Sequence, residues 1–235
     1  MTIGAFIKGV TGMGLPLVAI PVMAAFFGVE HAVVVIIIPS VLTNTWLLWE
    51  HRRGAGLLRY VPVMLGTGVV GAVVGTMLLS SVDDRWLTLA LATVIFGYVV
   101  VFLTKPGFSI PDRVVRATVG PIGLLGGLLQ GATGVSGPLV ATYLHGLRLE
   151  RSGYVFSLTL LFEVFGLTQV LTLASLGSFT ADRLTESALA LVPILIAFPL
   201  GIRVSRKLSR RVFEILVLAL LVGVGVKLTL GGISG

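Results

Sequence analysis

Two stretches of the chain, Val61 to Val82 and Trp86 to Thr104, run for 22 and 19 residues without a single Asp, Glu, Lys or Arg. A hydrocarbon core about 30 Å thick takes about 20 apolar residues of helix to cross, so each run can span a bilayer. The runs are continuous and lack the two-residue alternation of barrel strands, which leaves helices as the structure that satisfies the backbone inside lipid. An all-α, polytopic membrane protein is expected. Composition agrees, because 56% of the 235 residues are apolar and only 11% are charged, against roughly 25% charged in soluble domains. The net charge of +7 sits in short loops between apolar runs, so no nucleic-acid partner is expected and membrane lipid is. The absence of cysteine excludes disulfides and thiol chemistry. His31, His51 and His145 have no metal-ligand neighbour at useful spacing, and neither metal nor cofactor is expected. No basic region precedes the first apolar run, and Lys8 lies inside it, so the first helix is expected to stay on the protein.

The chain repeats itself. Shifted by 122 residues, Gly9-Val-Thr-Gly-Met-Gly-Leu-Pro-Leu-Val-Ala19 aligns without a gap to Gly131-Ala-Thr-Gly-Val-Ser-Gly-Pro-Leu-Val-Ala141, with seven of eleven positions identical. The matching Thr and Pro carry more weight than Gly, Ala or Val, which coincide cheaply in such a composition. The expected organisation is a first repeat over 1–110, with a broken segment at 2–29 and helices at 32–49, 61–82 and 86–104. A second repeat over 111–235 has a broken segment at 117–147 and helices at 153–178, 184–202 and 212–230.

Loop charge bears on topology. If all eight apolar segments crossed once, Lys and Arg would split 7 to 8 between the two sides. If 117–147 enters and returns to its starting side, the split becomes thirteen against two, with only Arg85 and Arg183 opposite. That bias is the one cytoplasmic loops carry, while Glu30, Asp83, Asp84, Asp182 and Glu186 fall on the other side. Thirty-one residues would measure about 46 Å as one helix, too long for an upright crossing and too short for two, so two half-helices meeting near mid-membrane are expected. The same build at 2–29, entered from the other side, makes the halves inverted. Inverted repeats with broken helices at the midplane are a recurrent transporter plan; a strongly tilted single crossing is the competing geometry.

Each glycine-rich break shortly precedes a proline, Pro16 or Pro138, and proline suits the first turn of a helix. Thr11, Gly12, Met13 and Gly14 in one copy, and Thr133, Gly134, Val135, Ser136 and Gly137 in the other, therefore lead into helix amino termini. Free N–H groups and the helix dipole favour an anion there. A small anionic substrate is expected at these two breaks. The alternative is that the glycines only let helices pack closely, as Gly71 and Gly75 do in a GxxxG pattern.

These residues resemble the TauE/SafE sulfite exporter family of membrane transporters. The likeness runs over nearly the whole chain, through the broken segment ending in Pro16, the basic His51-Arg-Arg-Gly54 loop, a glycine-rich third helix and the second copy opening at Gly131. The resemblance implies a permease of the prokaryotic cytoplasmic membrane for sulfite, sulfonates or related small anions, with the broken segments forming the path. Thr11, Met13, Thr133, Val135 and Ser136 interrupt the family's usual glycine run.

Polar residues inside the apolar runs complete the candidate site. Glu163 stands midway along 153–178, where a carboxylate is costly enough to suggest proton coupling or a structural partner. Lys8 either supplies positive charge to the anion or snorkels to the interface; at the aligned position stands Gln130. Asn44, with Thr43 and Thr45, and Gln169 serve either substrate or helix contacts. The GxSG pattern around Ser136 raises an intramembrane protease, but no histidine follows His145 to act as base. A passive anion channel using the same helix ends is the stronger rival. Alternating access with proton coupling is the expected mechanism, and homo-oligomerisation is left open.

Overall fold

The computed structural model describes residues 4–6, 8, 15–52, 59–104, 109–204 and 222–230. Among the described residues these helices follow one another: α1 (Leu15–Phe27), α2 (Val29–His51), α3 (Val61–Ser81), α4 (Asp84–Thr104), α5 (Asp112–Thr133), α6 (Gly137–Gly146), α7 (Arg151–Ser175) and α8 (Ala181–Val204). Residues 222–230 are helical as well, and no strand occurs among the described residues. Five of the helices are long and apolar enough to cross a bilayer: α2, α3, α5, and the 153–175 and 181–201 parts of α7 and α8. Helix starts recur at the spacing of the sequence repeat, since α6 begins 122 residues after α1, and α7 begins 122 residues after α2.

Two ends of the molecule are distinguished by charge. At the acidic end the start of α2 meets the starts of α4 and α8: Arg183 donates to Glu30 at 2.9 Å, His31 lies 2.7 Å from Glu186, and the Val29 N–H donates to Asp84 at 2.6 Å. That carboxylate caps α2 from another helix, because Gly28 before it has φ of 83° and no side chain to offer. These residues are the ones that loop charge assigns to a common, non-cytoplasmic side. At the basic end the Ile110 N–H donates to the Gly146 carbonyl at 2.9 Å, so the chain entering α5 and the chain leaving α6 meet. The two ends of the segment thus lie together.

Its arms are unequal, which differs from the expected pair of half-helices beginning at 117. Asp112, Arg113 and Arg116 belong to α5, which has 22 residues while α6 has 10, or about 33 Å and 15 Å. Charges in a first turn end an apolar run in sequence but not a helix that extends into the headgroup region.

Glycine sets the closest helix contact. Gly68, Gly71 and Gly75 on α3 lie against Gly123, Gly127 and Gly131 on α5, and a Cβ added at any of the six would strike the partner helix or a side chain packed there. Without a hydrophobic drive between helices in lipid, such backbone proximity is a main source of association. Replacing Gly127 with Val should therefore abolish monodisperse protein on size exclusion in mild detergent. Gly97→Ala, at a position with nothing within 4 Å, should behave as the parent. Away from this contact, the core gathers α1, α2 and α8 around Leu15, Val33, Ile37 and Phe198, and a second cluster joins α3, α5, α6 and α7 around Met64, Leu144 and Phe165.

Candidate functional site

The break between α5 and α6 is built by its own residues. Gly134 ends α5 in the left-handed conformation, φ 69°, with its N–H bonded to the Gln130 carbonyl, the usual device for stopping a helix. A Cβ at this position would run into the Ile20 side chain of α1 and lie 3.2 Å from Val33, so glycine also lets α1 and α2 approach. Thr133 braces the turn by donating to the Leu129 carbonyl at 2.8 Å and accepting the Val135 N–H at 3.3 Å. Ser136 then precedes α6 without bonding its N–H groups through the side chain. The first-turn N–H groups of a helix have no intrahelical partner; Pro138 has none, so here these are the N–H groups of Gly137 and Leu139.

Between this break and the start of α1 lies a cavity of about 40 Å³, measured as the space open to the centre of a water-sized sphere. On that measure roughly 10–15 Å³ holds one water, so about three waters or one anion of a few heavy atoms fits. Gly134, Val135, Ser136 and Gly137 line it from the α6 side, and Pro16 and Leu17, in the first turn of α1, from the other. The amino terminus of α6 and the first described turn of α1 therefore face one space. The middle of α2 contributes Ile37, Ser40 and Asn44, the middle of α7 contributes Phe162 and Gly166, and Lys8 and Gln130 complete the lining.

Lys8 is 2% exposed and donates to Thr43 Oγ1 at 2.8 Å and the Ser40 carbonyl at 3.1 Å. It is held inside the protein against α2, which overturns the snorkelling alternative. Those two contacts hold its amine beside the cavity. Gln130, its counterpart 122 residues on, accepts from Ser136 Oγ at 2.9 Å and donates to Gln169 at 3.2 Å; Gln169 in turn donates to the Gly131 carbonyl at 2.9 Å. Glu163 stands next to this set without lining the cavity. Its Oε1 accepts from Thr45 at 2.7 Å, and its Oε2 is buried with no partner among the described residues.

The candidates thus divide. Lys8, Asn44, Gln130, Gly134, Val135, Ser136 and Gly137 come together around the cavity; Thr133 supports the turn, and Glu163 adjoins it. Thr11, Gly12, Met13 and Gly14 lie outside the described residues. Ser136 gives its proton to Gln130, not to a base, and His145 is exposed, which leaves the protease reading without a general base among the described residues.

Ser40, Phe162 and Gly166 were not singled out by sequence, yet a signal for them exists. Three pairs of lining residues stand 122 apart: Lys8 and Gln130, Ser40 and Phe162, Asn44 and Gly166. In the last two pairs the member on α2 is polar and its counterpart on α7 is not.

Membrane-length helices, segregated loop charge and a small, mainly apolar cavity into which Lys8, Asn44 and Gln130 are set mark a polytopic helical membrane transporter. The chain belongs to the TauE/SafE family: the family profile described as "Sulfite exporter TauE/SafE" matches residues 1–228. A protein of Cupriavidus necator described as "Probable sulfite/organosulfonate exporter TauE" is 27% identical over 236 residues, covering 98% of this chain and 91% of that protein. No solved structure matches the chain.

Proposed function

We propose that the protein is a secondary transporter of the prokaryotic cytoplasmic membrane that carries sulfite or a short sulfonate across it. The observation that bears most weight is the convergence of the α6 amino terminus, the Pro16 turn of α1 and a buried lysine on one small cavity. Helix amino termini supply N–H donors and partial positive charge, and Lys8 supplies a full one. The family and the C. necator relative, described as a probable sulfite/organosulfonate exporter, favour an oxyanion of sulfur.

Inversion of the two halves gives the transport cycle. The common acidic end, the meeting of Ile110 with Gly146 and the recurrence of helix starts support two hairpins entering from opposite sides. One half rocking against the other exposes the cavity first to one face and then to the other. Glu163 is the proton carrier in this scheme, since a buried carboxylate with one unpartnered oxygen, near Lys8, can be neutral in one state and charged in another. Replacing Glu163 with Gln should leave sulfite exchange measurable but remove its response to an imposed pH gradient in liposomes; unchanged coupling would take Glu163 out of the mechanism.

Purified protein in liposomes, offered sulfite, methanesulfonate, chloride and nitrate, tests the function itself. Saturable sulfite flux that responds to a pH gradient is expected. Flux that rises linearly with concentration and ignores the gradient would identify a channel instead.

A further inference from the structure

The hydrogen bonds around Ser136 have a direction that can be read from one end. The Gly131 carbonyl can only accept, so Gln169 must present its Nε2 there, at 2.9 Å. The other atom of that amide, Oε1, can only accept, so it takes a hydrogen from Gln130 Nε2 at 3.2 Å. Gln130 then turns Oε1 to Ser136, and the single hydroxyl hydrogen of Ser136 is spent on it at 2.9 Å. What Ser136 has left is lone pairs, and the helix it precedes does not use them.

A second observation lies on the facing wall. Asn44 is 4% and Ser40 3% exposed, both line the cavity, and Asn44 Oδ1 and Ser40 Oγ have no hydrogen-bond partner among the described residues. Asn44 Oδ1 is again an acceptor, while the Ser40 hydroxyl can donate or accept. The cavity therefore offers cationic and N–H groups for a negative charge and, in the same small space, acceptors that such a charge cannot satisfy. A ligand made only of acceptor oxygens would set lone pairs against lone pairs at Ser136.

Building on the reading of the cavity as an anion site, we infer that the preferred substrate is a small anion that carries its own hydrogen-bond donor, an O–H or N–H group received by Ser136. Gln169 is the positioning residue that fixes this polarity. Between the two forms of sulfite, the hydrogen-bearing monoanion is the one that suits the site.

Sulfamate and methanesulfonate test this, because they share shape and charge and differ in an NH2 against a CH3 group. Their fluxes into liposomes, measured beside sulfite flux, should favour sulfamate by about tenfold in kcat/KM, the worth of one buried hydrogen bond. In Ser136→Ala the two should agree within about twofold while methanesulfonate flux persists, and Ser136→Thr should restore the preference. Gln169→Leu, which releases the amide chain, should narrow the ratio as well. Equal parental fluxes, or a preference that survives Ser136→Ala, would overturn the inference with sulfite transport intact. Absence of flux for every anion would overturn the proposed function, and this inference with it.

Discussion

Lys8→Met protein, inserted in liposomes at the parental density, should move sulfite at no more than about a hundredth of the parental rate. The substitution keeps the stem that packs against α2 and removes the charge. A buried anion that loses its charged partner loses about 3 kcal/mol or more, and each 1.4 kcal/mol is tenfold in affinity. Thr43 and the Ser40 carbonyl lose a donor at the same time, so protein yield and monodispersity must be measured alongside flux. Parental flux in a well-folded Lys8→Met protein would remove Lys8 from the site.

Gly134→Leu should be inactive for a different reason. A side chain at φ 69° costs roughly 1–2 kcal/mol in backbone strain alone, and here it also drives into Ile20, forcing α1 away from the break. The two contributions can be separated. Gly177, with φ 71° and nothing within 4 Å of an added Cβ, carries the strain without the collision, so Gly177→Ala should keep transport and lose only a few degrees of thermal midpoint in detergent. If Gly134→Leu transports at the parental rate, the close approach of α1 to the break has no part in function.

The fold was largely legible because lipid makes such heavy demands on a chain. Uninterrupted apolar runs announced helices, and loop charge placed Glu30, Asp84, Arg183 and Glu186 at one end, where Arg183 meets Glu30, Asp84 the Val29 N–H and Glu186 His31. The amino terminus of α6 followed from Pro138. Less could be said of which side chains meet. Thr45 reaches Glu163 across 118 positions, and helices that are apolar on every side carry no stripe to show which face turns inward. Ser40 and Gly166 were hidden for that reason, as was Phe162, whose place across from Ser40 emerges only once the 122-residue spacing is laid over the cavity. The start of α5 was misjudged at Ala117 because Asp112, Arg113 and Arg116 look like a loop when charge alone marks the boundary.

Accessibility of the cavity from both sides of the membrane is the most direct test of the account. The natural chain has no cysteine, so Val135→Cys places a single thiol in the cavity lining. In transport-competent liposomes this thiol should react with an impermeant thiosulfonate reagent added on either side, and saturating sulfamate, which does not consume the reagent, should slow both reactions. Labelling from one side only, or at a rate indifferent to the anion, would contradict an alternating-access site at this cavity.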